Sequence, residues 1–198
     1  MGRLIPQIDE IQRNIERLAG PEVARQVMEG REQLKDSTKP PKIAMWVQGA
    51  MERLDALVDQ TTREQVMLNC GYNCALVNGV AIKRAVARRK KHSTIDAFLE
   101  AEQQAPPTGT RLVREGDVVY QFYTPGEYIR PMRCYCSLLR GLPQDQTASL
   151  AYCQCSRGFV QKYWEAIFET PIEVDLLESA VSGAAECKFA IHLPPAGS

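Results

Sequence analysis

Six of the seven cysteines stand in three close pairs, Cys70 and Cys74 in CGYNC, Cys134 and Cys136 in CYC, and Cys153 and Cys155 in CQC. Residues four apart share a helix face and residues two apart share a strand face, so the first two pairs could each aim two thiolates at one ion. On a helix, CQC divides its thiols between two faces unless it lies in the preceding loop. None of the spacings is that of a zinc finger. Thiolate donors favour zinc, the first expectation here, with an iron–sulfur cluster as the second. Against both stands cysteine as a small core hydrophobe. An odd number of cysteines in a reducing compartment does not make a disulfide framework.

One carboxylate faces the wrong way for a solvated group. In IEVDLLES the period of two puts Glu178 on the apolar side with Ile172, Val174 and Leu176. A two-residue turn at Ser182-Gly183 would set Glu178 directly opposite Cys187, whose strand also turns Phe189 and Ile191 inward. A metal would offset the desolvation of both groups; the alternatives are that Glu178 pairs with an arginine such as Arg133 or Arg157, or bends out at the strand end. His92 and His192 add nothing, since His192 alternates with Ile191 and faces outward. No Ser, His and Asp spacing suggests a hydrolytic triad.

These residues have to be positioned by a helical N-terminal half and a strand-rich C-terminal half. Leu4, Ile8, Ile11, Ile15 and Leu18 recur at helical spacing before Gly20-Pro21 interrupts, and Val23 and Val27 continue in a second helix. Pro40-Pro41 opens a third helix with the stripe Ile43, Val47, Met51, Leu54 and Val58. Thr61 and Glu64 resemble a capping box for a helix through Cys70 and Cys74, interrupted near Gly71. The basic run Arg88, Arg89, Lys90, Lys91, His92 reads as a solvated helix end before phosphate contact. TIDAFLEAEQQ is a further short helix. From Thr110 the period becomes two, giving a strand hairpin, PMRCYCSLL as another strand, a long helix from ASLAYCQC capped by Thr147, and two closing strands. The fold class expected is α+β, a helical segment over 1–105 packed on an antiparallel sheet with a covering helix over 110–195, as two regions or one continuous domain.

From Thr110 to Leu193 the chain resembles the 4-vinyl-reductase-type small-molecule-binding domain. The resemblance rests on CSRGF (Cys155, Gly158, Phe159) opening a helix, a strand ending in Glu178, a turn with Gly183 and the closing strand CKFAIHL. It implies zinc held by Cys155, Glu178 and Cys187 beside a ligand pocket; the family's remaining cysteine position is Val181 here. Cys153, Cys134 and Cys136 are candidates for the missing ligand, with Cys70 and Cys74 as further thiols. The layout is also similar to small hydrolases that open an aminothiazoline carboxylate ring, and to uncharacterised cysteine-rich bacterial proteins.

Two functions follow as expectations. In the first, a sensor or carrier, Phe159, Tyr163 and Trp164 on the helix pack over Tyr120 and Phe122 on the sheet, forming an apolar pocket for a small apolar or heterocyclic molecule. In the second, a metal-dependent hydrolase, Glu178 is a metal ligand or the general base. A thiol or iron–sulfur redox protein is a weaker third. The 24 basic and 24 acidic residues cancel, so nucleic-acid and membrane partners are not expected. The charged N-terminus and the lack of any run of about 20 apolar residues read as cytoplasmic. The apolar N-terminal stripe could pack on the domain or form a homodimer.

Overall fold

The structure is a computed structural model and describes residues 5–125 and 132–194. Seven α-helices and a four-stranded sheet are described: α1 (Pro6–Ala19), α2 (Pro21–Val27), α3 (Pro40–Leu57), α4 (Gln60–Val77), α5 (Gly79–Arg89), α6 (Ile95–Gln104), β1 (Thr110–Glu115), β2 (Val118–Tyr123), α7 (Leu150–Phe168), β3 (Glu173–Glu178) and β4 (Cys187–His192). The fold is α+β, with strands in the order β1-β2-β4-β3 and every neighbouring pair antiparallel.

The helix starts follow local chemistry. Prolines open α1, α2 and α3, where the missing N–H would have had no helical partner. Ile8, Ile11 and Ile15 of α1 are buried as their spacing predicts, while Leu4 lies outside the described residues. Gly20 ends α1 at φ 92°, a left-handed value that favours glycine. At α4 the cap falls two residues before the expected box: Asp59 accepts the Thr62 N–H at 2.7 Å. Ser149, and not Thr147, caps α7.

Helix α4 runs unbroken through Gly71, because this glycine serves a helix crossing and not a break. A Cβ on Gly71 would stand 2.1 Å from the Cys155 carbonyl oxygen, and one on Gly158 would stand 2.4 Å from the Leu68 carbonyl oxygen. Two glycines therefore let α4 and α7 approach until their backbones touch. The other face of α7 covers the sheet, where Val160, Trp164 and Ile167 pack with Val119, Val174, Phe189 and Ile191. The Trp164 indole N–H donates to Gln121 Oε1 at 2.7 Å, which satisfies both buried polar groups.

Two connections differ from the sequence reading. The expected CYC strand begins at residues outside those described, and over 132–139 it is a looped turn in which Leu139 and Arg140 donate to the Cys136 carbonyl. Arg133 fixes this loop by donating to the carbonyls of Pro143, Gln144, Gln146 and Ala180. Between β3 and β4 there is no two-residue turn; a 3₁₀ turn over Ala180–Ser182 leads into Gly183 at φ 114°. The ladder pairs Leu176 with Phe189 but Glu178 with Lys188, so Leu177 is bulged. The extra residue rotates Glu178 off the apolar face into solvent and away from Cys187, which instead stands opposite Tyr123.

Candidate functional site

The α4–α7 crossing, α1 and the loop at 132–149 enclose an apolar cavity of about 230 Å³. Four thiols line it: Cys70 and Cys74 one turn apart on α4, Cys155 on the first turns of α7, and Cys136 from the loop. Ile11, Met67, Leu138 and Tyr152 supply the rest of its apolar wall, and Glu10, Arg13, Asn73 and Asn78 its polar edge.

Three of the four thiols have a hydrogen-bond neighbour. Asn14 donates its amide to Cys70 Sγ at 3.5 Å, Asn78 to Cys74 Sγ at 3.4 Å, and Cys136 Sγ lies 3.1 Å from the Tyr152 hydroxyl. Burial pushes the Cys70 thiol up to about 12, with Glu10 and the neighbouring thiols adding to the rise. Burial and then the surrounding thiols Cys136, Cys70, Cys74 and Cys134 hold Cys155 well above its usual value. Cys74 is raised by burial and by Cys136. Burial thus keeps the Cys70, Cys74 and Cys155 thiols protonated at physiological pH. Burial alone would raise Glu10, but Arg13, Asn73 and Asn14, all bonded to it, hold its carboxyl below the usual range.

The remaining cysteines belong elsewhere. Cys153 and Cys155 point to different sides of α7, as expected of i and i+2 on a helix. Cys153 Sγ sits 2.8 Å from the Ser179 hydroxyl, and burial pushes its thiol up to about 12. Cys187 accepts the Ala180 N–H at 3.4 Å and is raised by burial. Cys134 accepts the Cys136 N–H at 3.4 Å. Among the described residues no group of three or more His, Cys, Asp or Glu side chains could hold a metal ion. The expectation of zinc or an iron–sulfur cluster is corrected on that ground: four thiols line the cavity, Cys134, Cys153 and Cys187 lie apart from it with hydrogen-bond partners of their own, and Glu178 is exposed.

The aromatic residues expected to form a pocket are divided by the pleat. Val119 and Gln121 face α7, so Tyr120 and Phe122 lie on the opposite sheet face, where the Lys188 ammonium stands 4.6 Å from the Tyr120 ring and Arg111 stacks 3.6 Å over Phe122. Trp164 is a core residue, Tyr163 accepts from Arg88 at 3.1 Å, and Phe159 is half-buried beside the crossing, its amide within 2.9 Å of a Cβ built on Gly71. Arg133 and Arg157 donate to carbonyls and leave Glu178 unpaired among the described residues. His192 lies 2.8 Å from Asp175, and His92 stands edge-on to Phe98; neither lines the cavity.

The sequence reading missed Glu10, Asn14, Asn73 and Tyr152. Asn14 was within reach, because it interrupts the apolar stripe between Ile11 and Ile15 and so had to be buried with a partner.

The protonation pattern has a measurable consequence. A thiol whose value is raised on folding keeps its proton in the folded state while the unfolded chain ionises, so stability is full below the unfolded value and falls as pH rises towards the folded one. With Cys70 and Cys153 both pushed to about 12, stability is expected to decline steadily from about pH 9 upward. Chemical denaturation at a series of alkaline pH values checks this, and Cys70→Ala should flatten the slope. At neutral pH a thiol reagent should label exposed Cys74 first and the buried thiols only as the protein opens.

Among curated proteins none matches the chain. Among solved structures it is similar to an Fe(II) unliganded H-NOX protein from K. algicida, with 14% identity, a TM-score of 0.51, and 98% of this chain and 97% of that chain covered. A point mutant of that protein gives 14% identity and a TM-score of 0.51 over 100% and 98% of the two chains. An H-NOX domain from Shewanella oneidensis in the Fe(II)CO ligation state gives 13% identity and a TM-score of 0.42 over 98% and 99%. The two likenesses to the K. algicida protein establish a shared fold. They correct the resemblance to 4-vinyl-reductase-type domains and aminothiazoline carboxylate hydrolases, whose motif residues have other work here: Gly158 makes the helix crossing, Gly183 makes a turn and Glu178 sits in solvent. No helix among the described residues is long and apolar enough to cross a membrane. Residues 4–195, nearly the whole chain, match the family of unknown function DUF6144, and the chain belongs to that family.

Proposed function

We propose that the chain is a small-molecule-binding domain of sensor type, whose ligand is a compact, uncharged, apolar molecule held between α1, α4 and the start of α7. The observation that carries this is the cavity itself, with its wall of aliphatic groups and protonated thiols and its few polar groups confined to the edge. Pockets for drug-sized ligands hold about 300–1,000 Å³ and are common between helices; at about 230 Å³ this one suits something smaller.

The solved proteins of this fold carry Fe(II), and the donor set decides whether such a centre suits this chain. A haem iron is held by a His imidazole, a Cys thiolate, a Met or a Tyr. Neither histidine lines the cavity, burial raises the Cys70, Cys74 and Cys155 thiols and so opposes a thiolate there, and the Tyr152 phenol is kept neutral by burial and bonded to Cys136. Met67 offers a thioether, a weak donor alone. These residues do not fit an iron macrocycle, so the shared fold is read as a shared way of enclosing a ligand. Binding is favoured over hydrolysis because the cavity's one carboxylate, Glu10, is fully engaged by Arg13, Asn14 and Asn73, and Glu178 faces solvent.

Ligand-observed NMR with toluene, indole and short alkanols tests the proposal on the full chain. Cys74 is exposed at the mouth, so Cys74→Trp should plug the cavity, weakening binding at least about ten-fold while leaving the fold intact. Binding that is indifferent to the plug, or no binding of any apolar probe, sinks the reading.

A further inference from the structure

From Gln65 to Ile95 the chain holds no Asp or Glu, yet it holds Lys83, Arg84, Arg88, Arg89, Lys90 and Lys91. A net charge of zero conceals this local excess. Two of the six cations are engaged: Arg88 pairs with Glu102, and Arg89 donates to the His92 carbonyl. Among the described residues Lys83, Arg84, Lys90 and Lys91 make no ion pair, although Lys90 shares a shallow depression with Glu169. Lys83 and Arg84 lie with Val80 and Ala87 on the solvent side of α5, at helical spacing, and Lys91 is exposed in the turn that follows.

The same surface carries the most exposed large apolar side chains of the described residues. Leu76, Val77 and Val80, at 78%, 86% and 64% exposure, cluster where α4 turns into α5. Single exposed aliphatics need no account, but three together at the α4–α5 corner, next to the unpaired cations Lys83 and Arg84, do. We propose that this corner is a peripheral docking surface for an anionic lipid bilayer. The cations would be drawn to acidic headgroups while Leu76, Val77 and Val80 enter the interface.

Charge decides among occupants. A second copy related by a two-fold axis would set these cations against one another, which disfavours self-association through this face. A protein partner would need an acidic groove shaped to a blunt aliphatic corner, whereas a fluid anionic surface accepts diffuse charge and any convex apolar tip. Val77 also lines the cavity mouth, so docking here would open the cavity towards the bilayer, from which an apolar molecule could enter directly. The docking itself does not depend on what the cavity binds.

Co-sedimentation of the full chain with phosphatidylcholine vesicles, with and without phosphatidylglycerol, tests the proposal. The bound fraction is expected to rise at least about ten-fold with the acidic lipid and to fall back in about 1 M salt. Lys83→Glu with Arg84→Glu should remove the gain, and Leu76→Ser with Val77→Ser should weaken binding at least about five-fold. All four positions are exposed, so unchanged thermal unfolding certifies the variants. Equal binding to both vesicle types, no binding to either, or indifference to charge reversal overturns the proposal. Binding of an acidic amphipathic peptide by a protein that ignores both vesicle types would reassign the surface to a protein partner and overturn it equally.

Discussion

Gly71→Ala is expected to destabilise the protein by about 3 kcal/mol, roughly 6–12 °C in Tm for a chain of this size. In an exposed helix the same change would stabilise by up to about 1 kcal/mol, because glycine is the poorer helix former. Here the new methyl meets the Cys155 carbonyl oxygen at 2.1 Å, a fixed backbone atom that no rotamer change can move. Helices α4 and α7 must separate, and Cys70, Cys74 and Cys155 separate with them, so any cavity ligand should bind more weakly as well. Gly158→Ala should behave alike, since its methyl meets the Leu68 carbonyl oxygen at 2.4 Å. Gly79→Ala is the control: nothing lies within 4 Å of its Cβ position, and its melting temperature should stay level or rise. If all three alanines behave alike, the crossing is not what these glycines serve.

Arg88→Met is expected to cost about 3–5 kcal/mol, more than a lost surface ion pair would. Glu102 has only 6% of its side chain exposed and receives two charge-assisted bonds from Arg88, at 2.7 and 2.9 Å, while Arg88 also donates to the Tyr163 hydroxyl. Removing the arginine leaves a buried carboxylate with no cation. Removing the carboxylate leaves an arginine that can reach water, so Glu102→Gln should cost clearly less. The double variant should cost less than the sum of the two singles, and urea denaturation of all four proteins measures the difference. Equal single effects that simply add would show that the pair acts as a surface contact.

The helices were legible because each carries its own period and punctuation: the isoleucines of α1, the stripe of α3, and prolines at three helix starts. The strand hairpin β1–β2 and the closing strands were legible for the same reason. What escaped depended on partners distant in sequence. CGYNC invited a metal reading because its cysteines share a face, but its glycine is what the fold uses, and that use is visible only once α7 lies against it. Glu178 was assigned to the apolar face by strict alternation, and one bulged residue, Leu177, reverses such an assignment from there onward. Tyr120 and Phe122 were recognised as strand residues but assigned to the wrong side, since alternation tells which residues share a face and not which face meets the helix. Cys70, Cys74, Cys136 and Cys155 do gather at one place, yet as wall groups of an apolar cavity, a role that depends on burial and not on spacing.

The glycine crossing also bears on how the chain folds. Tyr72 and Gln161, which meet across it at 3.1 Å, lie 89 positions apart, so the contact closes a long loop containing α5, α6, β1, β2 and the Arg133 turn. Loop-closure entropy is lost before such a contact returns anything, which makes it a late event on the folding route. The helical hairpin and the β1–β2 and β3–β4 pairs, whose contacts are local, can form ahead of it. The cavity therefore does not exist in any partly folded species that lacks docked α7, and an apolar ligand that fills it can act only on the last step of assembly, slowing unfolding without speeding folding.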